Sequence, residues 1–457
     1  MWPKEFATLL YKAVPEMEAN GLLQSLEDSS ETCIRVNPLK NVQIDPNLVK
    51  QEIPWAGDAY ILKERPFFAA DPAFHAGAYY VQEASSTIVG WVVNELLQHM
   101  PAKAHVLDLC AAPGGKSTHM ASVLRESDVL VANEVIQSRT PILHENLCKW
   151  GGANHIITRS DARNFGQYLG LFDLVLADMP CSGEGMFRKD SHAADEWSYN
   201  NVELCSARQL RIAHDIWPSI KPGGYLLYST CTYNKLENED NIHRICTELD
   251  GVVVSQNIPE KWNIFSAEDG MYRMMPHRTP GEGFFFAVIQ KKGEFSAEKM
   301  PKKRPQKSPF KISNLFPEVQ DFIFYERGSE VYVFRNSDFS QVEKLLLSLP
   351  MLYAPGTLVG NIFEKRHNTV FKPESSMALI GKLDLPFPIV NLDDKQIIKF
   401  LNRQSMSNPA SEKGIHLVEW NQMKMGFLNG INMQWNNLWP MEWRLRAENV
   451  EAKTIAF

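Results

Sequence analysis

Cysteine is scarce in this chain, seven among 457 residues. That is too sparse for a disulfide framework, and the odd count leaves at least one thiol unpaired. No CxxC and no His/Cys cluster carries zinc-ligand spacing, so no metal is expected. Long apolar runs are missing too. With no stretch of about 18 apolar residues, no membrane span is expected. The N-terminus, Met-Trp-Pro-Lys-Glu-Phe-Ala, has an acid at its fifth position and no secretory h-region, which makes the cytosol (cytoplasmic localisation) the default expectation. Positive charge is not in excess either. A net charge of −7 argues against indiscriminate coating of nucleic acid, while leaving room for a local basic groove. No internal repeat is visible.

What is present fills two to four domains, at roughly 100–200 residues each. Residues 1–95 mix helical signals (Phe6 to Ala13) with the extended run Cys33-Ile-Arg-Val-Asn-Pro-Leu, and end in an apolar helix, Ile88 to Leu97. Residues 96–292 alternate strand and helix. Strands are expected at His105–Leu109, Val129–Asn133, His155–Thr158, Phe172–Ala177, Tyr225–Ser229 and Gly283–Gln290, and helices at Ser138–Trp150 and Asn201–Trp217. Such alternation implies an α/β fold, a parallel sheet covered on both faces. Residues 293–311 are expected to be a linker, because Pro301 to Lys311 carries five positive charges and no acid. Beyond it, 312–380 and 381–457 give weaker signals. Short strands and turns are expected from Gly414 to Arg446, with Trp420, Trp435, Trp439 and Trp443 read as core. Cys33, Cys148, Cys205 and Cys246 read as small buried hydrophobes.

The first strand of the alternating region runs into Cys110-Ala111-Ala112-Pro113-Gly114-Gly115-Lys116-Ser-Thr118, a glycine turn opening a helix. Glycines let a ligand approach the backbone, and a helix N-terminus offers free N–H groups. A dinucleotide fingerprint would need GxGxxG, which is absent. A phosphate-binding P-loop would need GxxxxGK[ST]; Gly115-Lys116-Ser117 fits its end, but Cys110 stands where the first glycine belongs. The third reading is S-adenosylmethionine. Glu134 ends the next strand roughly 20 residues on, where ribose hydroxyls are gripped in doubly wound sites. Asp161 follows the third strand, able to accept from an adenine amino group. So many carboxylates suit a nucleoside bearing an amino acid better than a triphosphate.

Two further cysteines follow apolar runs of strand character, Cys181 in Ala177-Asp-Met-Pro-Cys-Ser-Gly-Glu-Gly185 and Cys231 in Tyr228-Ser-Thr-Cys-Thr232. In open α/β sheets ligands bind beyond the carboxyl ends of strands, so two thiols and Asp178 should converge on one pocket. The blocks Cys110–Lys116, Asp178–Lys189 and Tyr228–Glu239, with Tyr79–Ser86 and Pro276–Ala287, resemble the signature blocks of the Sun-family RNA (cytosine-5) methyltransferases. Met179 departs from the family's frequent alanine, in an apolar spacer that leaves the chemistry intact. The C-terminal part is similar to the PUA-like tail of the bacterial RsmF/YebU-type enzymes, which modify small-subunit ribosomal RNA.

The resemblance implies a Rossmann-like class I methyltransferase core at 96–292, an N-terminal α+β RNA-binding domain at 1–95, an intermediate α+β domain at 312–380 and a PUA-like RNA-binding region at 381–457. It implies S-adenosylmethionine held by Cys110 to Lys116, Glu134, Asp161 and Asp178, and an RNA partner. It also implies roles. Cys231 attacks carbon 6 of cytosine, Asp178 shares a proton near N3, Cys181 assists release, and Arg188 and Lys189 are candidate phosphate contacts. Carbon 5 of cytosine is a poor nucleophile, and a thiolate added at carbon 6 supplies the electron density it lacks. The substrate cytosine must be unstacked or already single-stranded. DNA enzymes place the attacking thiol in the Pro-Cys motif, so the second cysteine favours RNA. Rival readings are a tRNA cytosine-5 methyltransferase, a non-catalytic rRNA-binding assembly factor, a P-loop NTPase, and an amino-methyltransferase, whose Asn/Asp-Pro-Pro-aromatic motif is missing.

Overall fold

The computed structural model describes residues 2–294, 308–319, 321–335, 339–365, 368–447 and 450–456. Of residues 293–311, expected as a basic linker, only 293–294 and 308–311 fall among them. Among the described residues, no helix is long and apolar enough to cross a membrane.

The largest sheet is built on the alternating region. Its strands are β1 (His105–Asp108), β2 (Val129–Asn133), β3 (His155–Thr158), β4 (Phe172–Asp178), β5 (Ile220–Thr230), β6 (Gly251–Val253), β7 (Phe265–Glu268), β8 (Met271–Met274), β9 (Phe284–Lys291) and β10 (Leu352–Ala354). They lie in the order β7-β8-β9-β5-β4-β1-β2-β3-β10, with β6 against β9. The pairs β1–β2, β2–β3, β1–β4 and β4–β5 are parallel, and β9 returns antiparallel to β5. Strand order therefore reverses at β1, the position where an open α/β sheet leaves a crevice for ligand.

Side chains alternate between two cores, as a strand's period of two demands. Val106, Leu130, Leu174, Leu176 and Leu227 face the helices Ile88–Leu97, Gly115–Val123 and Thr140–Trp150. Leu107, Val131, Val175, Leu226 and Ile289 face the helices Tyr199–Ile216 and Glu239–Leu249. With both faces covered, the strands read as near-continuous apolar runs.

Among the described residues, three smaller sheets flank this one. Cys33–Val36, Val49–Ile53, Ala56–Leu62 and Tyr79–Val81 form an antiparallel N-terminal sheet. Arg35, fully buried, joins it to the glycine turn. The guanidinium stacks 4.3 Å from the Trp150 ring centroid and donates to Gln82 Oε1 (2.9 Å) and Thr118 Oγ1 (2.7 Å). A five-stranded sheet spans Lys311–Pro373, and another spans Ile389–Asn437. In the last, Trp420, Trp439 and Trp443 are buried, while Trp435 packs edge-on against His416. That core also contains Ile34 and Tyr79 of the N-terminal sheet and Phe68 of the turn between its strands, so the two ends of the chain share one apolar interior.

Candidate active site

The glycine turn, Glu134, Asp161, Asp178 with Cys181, and Cys231 each lie at the carboxyl end of a strand of the largest sheet. After β1 the chain turns through Gly114, whose φ of +116° strains any residue with a side chain, and enters the helix Gly115–Val123. Cys110, Ala111, Ala112, Pro113, Gly115, Lys116 and Asp178 line one cavity of about 200 Å³. Tyr80, Gln82 and Glu83 close its other side. Those three come from a block quoted for its resemblance and given no role in the sequence reading.

Beneath the turn, Asp108 is fully buried; Oδ2 accepts the Ser117 hydroxyl (2.6 Å) and Oδ1 has no hydrogen-bond partner. Burial pushes its carboxyl up to about 7, and the nearby Asp178 adds to the effect. The folded protein thus keeps a proton that the unfolded chain releases near pH 4. The stability this group contributes is present below that value and is lost as pH rises through about 7. Asp108→Asn, which keeps the acceptor for Ser117, should gain stability over the parent progressively from about pH 4 to about pH 7, with no further gain above. Urea denaturation at a series of pH values checks this.

The two thiols meet. β4 and β5 run side by side with Asp178 opposite Ser229, so the loops that follow them begin level. Cys181 Sγ lies 3.3 Å from Cys231 Sγ; both are free and half-buried. The Cys181 thiol is pushed well above its ordinary value, first by the hydrogen bond to the Cys231 sulfur, then by its low-polarity surroundings, then by the negative neighbours Cys231 and Glu237. Asp178 is oriented from both sides. Lys116 Nζ donates to Oδ2 (2.9 Å) and Ser229 Oγ donates to Oδ1 (2.8 Å).

Two buried carboxylates, absent from the sequence reading, tie the thiol loops together. Glu184, from the Cys181 loop, accepts the N–H groups of Tyr233 (2.6 Å) and Asn234 (3.0 Å) beyond Cys231. Glu237, from the Cys231 loop, accepts the N–H of Ser182 (3.0 Å) beside Cys181. The exchange is reciprocal, and Gly185 N–H adds a bond to the Cys231 carbonyl (2.8 Å). A Cβ at Gly185 would sit 2.8 Å from that carbonyl oxygen, so the loops approach only because residue 185 has no side chain.

The remaining sequence candidates are placed as follows. Glu134 follows β2 and is buried. Oε1 accepts the Ile136 N–H (2.8 Å), and Oε2 makes no hydrogen bond, with Arg139 at 3.5 Å. Asp161 follows β3 and caps the short helix Ala162–Phe165 through the Arg163 N–H (3.0 Å). Neither lines the 200 Å³ cavity. Arg188 departs from expectation. Its side chain is 8% exposed, faces Glu282 at 3.4 Å and donates to the carbonyls of Ser29 (2.8 Å) and Gly281 (3.3 Å). A guanidinium so engaged is a strut between loops rather than a phosphate contact; Lys189 beside it is exposed.

Three regions match known families. Residues 96–290 match the 16S rRNA methyltransferase RsmB/F family, 2–84 the N-terminal domain of 16S rRNA methyltransferase RsmF, and 387–445 the methyltransferase RsmF PUA domain. A methyltransferase homolog protein from Pyrococcus horikoshii shares the fold at a TM-score of 0.52 and 28% identity, over 64% of this chain and 95% of that one. S-adenosylmethionine is the methyl donor, and the residues present fit it. The glycine turn leaves room for close backbone approach, and Glu134 offers a buried oxygen without a hydrogen-bond partner at the next strand end. The ribosomal RNA small subunit methyltransferase F of Shewanella piezotolerans is 28% identical over 92% of this chain and 90% of its own length. That of Photobacterium profundum is 33% identical over 68% of each chain, and with this likeness the chain belongs to the ribosomal RNA small subunit methyltransferase F family.

Proposed function

We propose that this chain methylates carbon 5 of a cytosine in small-subunit ribosomal RNA, through a transient bond from Cys231 to the pyrimidine ring. One observation carries the reading: two free thiols 3.3 Å apart at the ends of adjacent parallel strands, beside a carboxylate that also lines the cavity of the glycine turn.

Cys231 attacks as a thiolate. Its S–C6 bond forms while the ring's π pair moves toward C5, and N3 gains a proton that Asp178 relays from solvent, the carboxylate left behind being backed by the Lys116 ammonium at 2.9 Å. S-adenosylmethionine, when bound, supplies an electrophilic methyl group for C5. Release then requires that the C5 proton depart and the C6–S pair return to Cys231. Cys181 serves here. The largest influence holding its proton is the hydrogen bond to the Cys231 sulfur. Once that sulfur is bonded to carbon the hold weakens, and Cys181 gives its proton to solvent. The resulting thiolate takes the C5 proton as the C6–S pair returns to Cys231, and N3 returns its proton to Asp178.

Recognition of the RNA falls to residues 1–95 and 381–457, which share an apolar core and so present one continuous body beside the methyltransferase sheet. Shape and unpaired bases are what such a surface reads. Lys189, exposed next to the Cys181 loop, is the candidate phosphate contact.

Bisulfite sequencing of ribosomal RNA from cells lacking the gene, set against the complemented strain, tests the reading. At least one small-subunit cytosine should lose its protection in the deletion and regain it on complementation. Unchanged protection at every cytosine would refute it.

A further inference from the structure

We infer that Glu237, acting with Gln209, is a positioning residue that aims Cys181 for product release. The inference rests on the covalent reading above. Cys181 lies between Pro180 and Ser182, and both flanking peptide groups are held from outside the loop. Gln209 Nε2 donates to the Pro180 carbonyl (3.2 Å), and Glu237 Oε2 accepts the Ser182 N–H (3.0 Å). Gln209 Nε2 also donates to that same Oε2 (2.8 Å), closing a ring of hydrogen bonds around the cysteine.

The ring is rigidly backed. Gln209 is fully buried on the helix Tyr199–Ile216, and its Oε1 accepts from Tyr228 (2.9 Å) and Asn241 (2.8 Å). Glu237 Oε1 accepts from Asn234 Nδ2 (2.8 Å). Cys231 is held differently, at the end of β5 with its carbonyl bonded to Gly185 N–H (2.8 Å). Loosening Glu237 therefore displaces the Cys181 sulfur and leaves the attacking sulfur seated. A misplacement of about 1 Å at a reacting group can cost about a hundredfold in rate. The step that suffers is the one Cys181 performs.

Glu237→Ala and Gln209→Met test this with RNA and S-adenosylmethionine present, beside Cys181→Ala and the parent. The readout is the ratio of denaturant-resistant protein–RNA adduct to methylated product. The ratio should rise about tenfold or more in both variants, with affinity for S-adenosylmethionine unchanged. Glu237→Gln keeps an oxygen for the Ser182 N–H and should restore most of the parent ratio. If Cys181→Ala accumulates adduct while neither variant does, or if adduct and product fall together in both, the inference is overturned. If Cys181→Ala itself accumulates none, the covalent reading fails and this inference fails with it.

Discussion

Replacing Cys231 by alanine is expected to remove product and adduct together, whereas replacing Cys181 should leave the RNA trapped on the protein. The asymmetry follows from the order of bond making. Attack at C6 and methylation at C5 need only the Cys231 sulfur, the cofactor and Asp178; the second thiol is needed when the C5 proton leaves and the C6–S bond breaks. Deleting a nucleophile outright lowers turnover by about 10⁴-fold or more, with only residual catalysis from binding and polar contacts. Deleting the release group spares the first half-reaction, so the covalent species accumulates to nearly one per active protein. Labelled RNA run on a denaturing gel separates the cases, with methyl incorporation counted in parallel. The 3.3 Å separation is what makes the pair a unit, since two thiolates that close would repel, and ionising one sulfur fixes the proton on the other. Full turnover by Cys231→Ala would exchange or erase the roles.

The strands β1 to β4 were legible because each is buried on both faces and keeps an apolar stretch (Val106-Leu107, Val129–Ala132, Ile156-Ile157, Leu174–Ala177), and the expected and observed bounds differ by at most one residue. β5 starts at Ile220, earlier than the Tyr225 expected, because Lys221-Pro-Gly-Gly224 carries turn residues inside a strand. The hairpin of β7 and β8 is short and mixed in composition. β10 is three residues arriving from beyond residue 350 to pair with β3, a long-range contact no local pattern encodes. At the site, the chemically distinctive residues could be read directly: two thiols, Asp178 and the glycine turn. Glu184 and Glu237 could not, although both stand inside recognised blocks, because each acts on main-chain N–H groups some 50 residues away. A carboxylate within a few residues of each cysteine, in loops short of apolar cover, was the available signal. Arg188 illustrates the converse, a cation beside a reactive loop whose partners sit on two other loops of the same chain.

Asp178→Asn should lower turnover by about 10²- to 10⁴-fold, the range for removing a positioned acid–base group, with a much smaller loss of cofactor affinity. The argument is geometric. Both carboxylate oxygens are engaged, Oδ1 by Ser229 and Oδ2 by Lys116, so the group is fixed at the end of β4 where β1's loop, the cofactor cavity and the thiol pair adjoin. Asparagine fits the same space and can still accept from one donor, but it carries no charge for the Lys116 ammonium and shares no proton with N3. Attack is then uncompensated, and negative charge builds on the ring as the S–C6 bond forms. Adduct should therefore fall in step with product, the opposite of the Cys181→Ala pattern. Lys116→Met should lower both as well, and the double variant should be little worse than Asp178→Asn alone, because residues that act as one unit do not contribute additively. Should Asp178→Asn weaken cofactor binding and leave turnover at saturating S-adenosylmethionine intact, the carboxylate is a wall of the cofactor cavity and the proton at N3 comes from elsewhere.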